Sequence, residues 1–345
     1  MRRVEHVVVG AGPGGLRAAE VLALAGREVL VLERSPVFGD KVCAGGLTTK
    51  AADLLARMGL PDALCRRSLA HGSFLGEDPI PLDPRLGRVR TLSRRALGEW
   101  QVGVTRAAGA AVRAGASVVA VDLGARSITL DGGETIGWEH LIGADGSRSL
   151  VRRALGLSCS RRYFAAEYNV PGDHEDRLLI LLDSRSLAQG YFWAFPQVGY
   201  TSFGCGADRT LVSPRAVCRY LRARLAKLGV STGDVPLEGA LIEVGHAGVH
   251  FGRAHLVGDA AGLASPVTGE GIYAALASGE DVARRLLDPG WPQPLLRGWQ
   301  RTRALHGGIA RLWRHEAART LSYHALRALC RHPFGRRAVT GIFAG

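Results

Sequence analysis

Gly10-Ala11-Gly12-Pro13-Gly14-Gly15 stands between an apolar run, Val7-Val8-Val9, and Leu16 to Ala25, whose spacing predicts a helix. The unit reads as strand, tight turn, helix. Gly10 permits the turn, Gly12 leaves open the space a pyrophosphate needs, and Gly15, with Ala19 four residues on, lets helix and strand pack closely. Phosphates would then meet free N–H groups at the positive end of the helix dipole. Gly26 closes the helix and Glu28 to Leu32 reads as a second strand. Glu33 follows Gly10 by 23 residues, the place of an acid that accepts hydrogen bonds from an adenosine ribose. The stretch therefore predicts a dinucleotide-binding βαβ unit.

The chain has 345 residues, enough for two intimately packed domains, and 47% of them are hydrophobic. No run reaches the ~18 consecutive apolar residues of a membrane span, and the first strand starts near residue 4, so a cytoplasmic protein is expected. The six cysteines, at 43, 65, 159, 205, 218 and 330, include no Cys-x-x-Cys pair. That spacing argues against a disulfide framework, a redox dithiol or a structural metal site. Net charge is +13, but 41 of the 44 basic residues are Arg, with only Lys41, Lys50 and Lys227 as Lys. So lopsided a ratio is partly compositional bias, and no nucleic-acid partner is expected.

Outward from the first unit, Lys41-Val42-Cys43-Ala44-Gly45-Gly46-Leu47 lacks periodicity, and its glycine pair permits close approach of backbone to a flat ligand. Cys43, beside Lys41, reads either as a thiol biased toward ionisation or as a small buried apolar residue. Thr48 to Met58 reads as a helix. Pro79, Pro81 and Pro84 suggest edge strands or a crossing between domains. Ser93 reads as an N-cap, with a long helix predicted over 94–115. Val118 to Val121 and Ser127 to Leu130 alternate, as in a small meander. His140 to Gly146 is again strand into glycine turn, followed by Ser147, Arg148, Ser149 and Arg152; phosphate binding and a capped Asp-Gly turn are equally compatible readings.

Between Cys159 and His250 the pattern is mainly strands with one helix near Pro214 to Leu228. Tyr191, Trp193 and Phe195 alternate in Gly190 to Pro196 and project from one face, as sheet core or as an aromatic wall for a ligand. His255 to Gly262 repeats the strand-into-turn pattern, and Ser265 to Ile272 leads into a helix over Tyr273 to Leu287. Beyond Pro294, ten Arg and the single acid Glu316 fall between Arg297 and Arg337, interleaved with Leu305, Ile309, Leu312, Trp313, Leu321 and Leu326. These read as helices packed on the body or as a basic, membrane-facing surface, in which Arg311, Arg314 and Arg319 would carry the attraction.

Taken together, the motifs resemble the FAD-dependent glutathione-reductase-like superfamily, in the branch holding aromatic hydroxylases and geranylgeranyl reductases. Gly10, Gly12, Gly15 and Glu33 match its ADP fingerprint, Asp145-Gly146-x-x-Ser149-x-x-Arg152 its Asp-Gly motif, and Gly258-Asp259 the motif that holds the FAD ribityl chain. Lys41-x-Cys43-Ala44-Gly45-Gly46-Leu47 and Tyr191-x-Trp193-x-Phe195-Pro196 resemble the Cys-Gly-Gly loop and substrate-channel motif of geranylgeranyl reductases. Departures are Ala188 for a frequent Pro, Ala44 for a Gly, and Gly98 where an Asp follows Arg94.

The resemblance implies an α/β fold: a Rossmann-like FAD-binding domain of aromatic-hydroxylase type (1–65, 93–157 and 251–288). Into it is inserted an antiparallel-sheet substrate domain (66–92 and 158–250), and a basic helical region (289–345) follows. It implies noncovalent FAD held by Gly10, Gly12, Pro13, Gly14, Gly15, Glu33, Arg34, Cys43, Ala44, Gly45, Arg94, Val119, Asp145, Gly146, Gly258, Asp259, Pro266, Gly269, Gly271 and Ile272. Cys43 is the expected catalytic residue, with Tyr191, Trp193 and Phe195 lining a channel for a small, hydrophobic substrate. Electrons would come transiently from NAD(P)H or a protein donor. The implied activity is reduction of carbon–carbon double bonds in an isoprenoid or lipid-like substrate; the alternatives are a flavin monooxygenase of an aromatic or polyketide substrate, or a flavin-binding protein without catalysis.

Overall fold

The computed structural model describes residues 1–74, 79–81, 89–158 and 160–337; Pro84 and Cys159 lie outside them. The chain begins β1 (Arg2–Val9), α1 (Pro13–Leu24), β2 (Val29–Leu32), β3 (Gly46–Leu47), α2 (Thr49–Arg57), β4 (Arg66–Phe74), β5 (Ile80–Pro81) and β6 (Val89–Thr91). There follow α3 (Arg94–Ala107), β7 (Ala111–Arg113), β8 (Val118–Asp122), β9 (Ser127–Leu130), β10 (Thr135–Gly143) and α4 (Leu150–Ala154). The middle of the chain forms β11 (Arg162–Pro171), β12 (Arg177–Leu182), β13 (Tyr191–Pro196), β14 (Tyr200–Asp208), α5 (Pro214–Lys227) and β15 (Glu238–Glu243). It closes with β16 (His250–Phe251), β17 (Ala254–Leu256), α6 (Ile272–Leu287), α7 (Pro294–Leu312) and α8 (Glu316–Cys330).

The first sheet runs β16-β17-β10-β1-β2-β7, parallel from β17 to β7, and β8 and β9 extend it as an antiparallel hairpin from β10. Val4, Val7 and Val8 of β1 are fully buried, as a strand covered on both faces requires. Helices α1 and α6 cross at glycines: a Cβ on Gly279 would lie 2.2 Å from Gly14 O, and one on Gly14 2.8 Å from Ala275 O. Across neighbouring strands His6 and His140 stack with ring centroids 5.4 Å apart, His140 and His255 follow at 6.1 Å, and His250 meets His255 edge-on at 5.2 Å.

The helix predicted over 94–115 ends at Ala107. Gly109, at φ +103, turns the chain out of the helix, and Ala111–Arg113 becomes the edge strand beside β2. Gly98 packs its Cα against Gly39; a Cβ there would sit 2.6 Å from Gly39 Cα. The glycine that departs from the family pattern thus seats the loop after Glu33 onto α3.

The second sheet runs β15-β11-β14-β13-β12-β4-β6-β3, with β5 on β4. It is antiparallel except where β4 pairs with β12 in parallel, and β3 joins it from within residues 1–65. Its alternation sorts the core: Phe192, Ala194, Phe203 and Cys205 pack with Val217, Leu221 and Leu225 of α5, while Trp193 and Phe195 face the other way. Burying each of these large apolar side chains contributes about 1.5–3 kcal/mol.

Helices α7 and α8 close the sheet end through Trp313, Tyr323, Ala310 and Cys330. Of the three arginines expected on a basic surface, Arg319 is buried at 4% exposure and donates to Trp313 O and Ser184 O. Arg314 pairs with buried Asp208, so only Arg311 stands exposed and without an ion pair among the described residues. Leu305, Leu312, Leu321, Leu329 and Phe334 point outward. Among the described residues no helix is long and apolar enough to cross a membrane.

Candidate active site

A cavity of about 1160 Å³ lies among residues of both sheets, from Gly10–Gly14 and Glu33 at one end to Tyr191, Trp193 and Phe195 at the other. At the glycine turn each residue has a separate reason. A Cβ on Gly10 would lie 2.4 Å from Ala144 O and one on Gly15 2.2 Å from Gly10 O, so both glycines serve packing. Gly12 differs: a Cβ there meets protein no closer than Ala144 O at 3.9 Å, and would instead fill the cavity at the start of α1. That open cradle, ahead of the first N–H groups of α1, suits a pyrophosphate.

Two buried polar atoms on the cavity wall have no hydrogen-bond partner among the described residues: the donor Arg94 Nε and the acceptor Asp145 Oδ1. The other oxygen of Asp145 accepts from the N–H of Leu150 at 2.6 Å and of Val151 at 3.2 Å. Burial pushes the Asp145 carboxyl above its ordinary range. Orphaned groups of opposite character, a phosphate cradle and Glu33 at the strand end fit a nucleotide cofactor with phosphates and hydroxyls. Glu33 accepts from Ala11 N at 2.7 Å and Ser35 N at 3.0 Å.

Ser149 and Arg152 resolve to structural roles. Ser149 caps α4 by accepting from Arg152 N at 2.9 Å; buried Arg152 donates to Ser147 O, Asp259 O and Ala260 O, tying the Asp-Gly turn to the Gly-Asp turn. Lys41 does not serve the thiol of Cys43: its ammonium lies 2.7 Å from Asp259 Oδ2.

The loop bearing Cys43 is pinned from below. Cys43 N donates to Glu167 Oε1 at 2.9 Å, and Gln197 Nε2 to Ala44 O at 2.7 Å. Glu167 also accepts from Ser202 Oγ, which itself accepts from Trp193 Nε1. Burial pushes Glu167 up to about 7 against the pull of the Cys43 N–H and the Ser202 hydroxyl. The glycine pair serves the protein's own packing: a Cβ on Gly46 would lie 2.5 Å from the Phe195 ring, and Gly45, at φ +69, backs onto Leu92 O.

With this geometry in place, residues 3–171 match the family described as an FAD binding domain. The menaquinone reductase of Mycobacterium tuberculosis is 33% identical over 312 residues, covering 82% of this chain and 76% of that protein. A digeranylgeranylglycerophospholipid reductase of Methanopyrus kandleri is 31% identical over 307 residues, covering 79% and 77%. The chain belongs to the geranylgeranyl reductase family of FAD-dependent oxidoreductases. Its fold agrees: a geranylgeranyl bacteriochlorophyll reductase-like protein of Thermoplasma acidophilum superposes with a TM-score of 0.78 at 22% identity, over 96% of this chain and 92% of that one.

In this geranylgeranyl reductase relative, all but two of the residues expected at the site line the cavity, including Pro13, Arg34, Val119, Gly146, Gly258, Gly269, Gly271 and Ile272. Gly15 is a packing glycine. Pro266 is not among the lining residues, and its carbonyl accepts from buried Tyr163 Oη at 2.6 Å. The aromatic wall is built: Tyr191 and Trp193 meet edge-on at 6.0 Å, and Gly204 on β14 makes room, since a Cβ there would lie 2.2 Å from Trp193. Leu178, Ile180 and Ile242 complete an apolar chamber.

Glu270 was missed by sequence reasoning. It lines the cavity between Gly269 and Gly271, accepts from the Thr48 hydroxyl, and is pushed by burial up to about 7. The available signal was an acid between two glycines just ahead of an apolar helix.

Proposed function

We propose that this FAD-dependent oxidoreductase reduces carbon–carbon double bonds in an isoprenoid lipid. The observation that carries this reading is the chamber of Tyr191, Trp193, Phe195, Leu178, Ile180 and Ile242, continuous with the nucleotide cradle in one cavity. These lining residues are apolar or aromatic, which suits a prenyl chain better than a hydroxylated aromatic ring that needs several polar partners. The relatives named above for menaquinone and digeranylgeranylglycerophospholipid support the same substrate class.

The flavin, when bound, supplies hydride. The chain's own contribution is position and exclusion of water. Gly12, Arg94 and Asp145 hold the nucleotide end, and the start of α6 presents N–H groups and positive potential toward the ring end. Cys43 stands where the pinned loop meets the chamber and controls access to the reacting carbons. Electrons enter from NAD(P)H or a protein donor. The outward Leu305, Leu312, Leu321, Leu329 and Phe334, flanked by Arg311 and Arg331, form the surface by which the protein meets the membrane that holds its substrate.

A competition tests the reading. Protein reduced anaerobically is mixed either with a micellar prenyl lipid or with oxygenated buffer, and flavin absorbance is followed. Faster reoxidation by the lipid is expected. Fast reoxidation by oxygen only in the presence of an aromatic substrate would favour the monooxygenase.

A further inference from the structure

Double-bond reduction needs a proton as well as a hydride, and the chamber holds few groups able to give one. Tyr191 is a poor source: its hydroxyl donates to Thr268 O at 2.6 Å, and burial raises its pKa further from neutrality. Glu167 lies beneath the loop with both oxygens engaged, by Cys43 N and Ser202 Oγ. Asp259 is paired with Lys41.

Glu270 is differently placed. Gly269, at φ +67, and Gly271 bracket it, and Ser265 N donates to its backbone carbonyl at 2.9 Å, so the turn that carries it is fixed. The same turn touches the aromatic wall: a Cβ on Gly269 would lie 3.3 Å from Tyr191 Oη. It also leads directly into the N-terminus of α6. Glu270 therefore lines the same cavity as the nucleotide cradle and the aromatic wall, on a turn that adjoins the Tyr191 hydroxyl. One carboxylate oxygen accepts from Thr48, whose own oxygen accepts from Ala51 N at 3.4 Å as the cap of α2. The second oxygen takes no protein hydrogen bond among the described residues.

We propose that Glu270 is the catalytic acid, its free carboxyl oxygen delivering the proton to the substrate double bond. The inference rests on the double-bond reading above. The π bond breaks, one carbon receives hydride from the reduced cofactor, the other receives the Glu270 proton, and Glu270, left as carboxylate, regains a proton from water. A carboxyl suited to this must remain protonated near neutral pH, and burial beside apolar walls holds it so. The charged or titratable groups facing it are Lys50, which favours the carboxylate, and Tyr191 and Tyr273, whose hydroxyls burial keeps neutral.

The test uses full-length holoprotein, reduced anaerobically and mixed with a menaquinone bearing an unsaturated side chain, in wild type, Glu270→Gln, Glu270→Asp and Cys43→Ala. Wild-type single-turnover product formation should fall as pH rises through the Glu270 titration near 7. Glu270→Gln should lower it by roughly 100- to 10,000-fold and flatten the profile, while Glu270→Asp restores part of the rate. Cys43→Ala should lower the rate at every pH yet leave the midpoint of the pH profile where it is in wild type, and FAD affinity should be unchanged in Glu270→Gln.

A second readout needs no turnover: the infrared carboxylic-acid band of the apoprotein in acid buffer should lose one component in Glu270→Gln and another in Glu167→Gln, each titrating near neutrality. Wild-type rate and profile in Glu270→Gln, or an infrared band that Glu270→Gln leaves intact, overturns the proposal. Failure of wild type to reduce the side chain at all overturns the functional reading instead, and the infrared result still reports whether Glu270 holds a proton.

Discussion

Gly12→Ala should separate cofactor binding from folding. Gly12 has φ −77 and ψ 173, which alanine adopts without strain, and its Cβ position is clear of protein to 3.9 Å. The apoprotein should therefore keep its stability or gain about 0.4–1 kcal/mol, because the unfolded chain loses freedom. The added methyl occupies the cradle from which the first N–H groups of α1 reach a phosphate. Losing two charge-assisted hydrogen bonds at about 1.5–3 kcal/mol each weakens FAD binding by about 3–6 kcal/mol, roughly 100- to 20,000-fold. Gly15→Ala should behave in the opposite sense: its methyl would lie 2.2 Å from Gly10 O and 2.8 Å from Ala144 Cβ, so it should cost about 1–3 kcal/mol or more of folding stability. Urea unfolding of the apoproteins and fluorescence titration with FAD measure the two quantities separately. Wild-type affinity in Gly12→Ala would refute the assignment of the cradle, and equal loss of stability in both variants would refute the division of roles.

Cys43→Ala should retain FAD, since the tie to Glu167 runs through the backbone N–H, while turnover on a prenyl substrate falls by up to about a hundredfold as the reacting carbons lose their position; unchanged turnover would leave Cys43 a packing residue. The histidine row predicts acid sensitivity. Burial lowers His255 from 6.5 to about 3, so the unfolded chain binds its proton first, and stability present above pH 6.5 is lost as pH falls toward 3, by at most about 5 kcal/mol. Chemical unfolding of wild type and His255→Gln across that window checks it; parallel pH dependences would contradict it. Binding to anionic vesicles should weaken with salt and in Leu321→Ser with Arg311→Gln, whereas Arg319→Gln should destabilise the fold instead, because Arg319 holds Trp313 O and Ser184 O. Equal binding to neutral vesicles would remove the electrostatic part.

Local chemistry was legible and distant chemistry was not. The first βαβ unit could be read because turn, helix start and acid all lie within residues 7–33, although the atom that forbids a side chain at Gly10, Ala144 O, comes from a strand end far along the chain. The aromatic wall was legible because strand alternation puts Tyr191, Trp193 and Phe195 on one face whatever the partner strands. By contrast, Ala111-Val112-Arg113 continues the apolar stripe of α3, and only the left-handed Gly109 and pairing with β2 make it a strand. Lys41 reads as a neighbour of Cys43, yet its partner Asp259 lies 218 residues away. Pro266, Arg319 and Glu270 are of the same kind: Tyr163, Ser184 and Thr48, which hold them, lie more than 100 residues away.

The central claim is that the chamber presents a prenyl double bond to the reduced cofactor. Mass spectrometry of a menaquinone with an unsaturated side chain, recovered after anaerobic turnover by the reduced protein and reoxidised in air to restore its ring, tests it most directly. The expected product is heavier by two hydrogens, with fragmentation placing both in the prenyl chain. A side chain recovered unchanged, or an oxygenated product formed only in air, would contradict it.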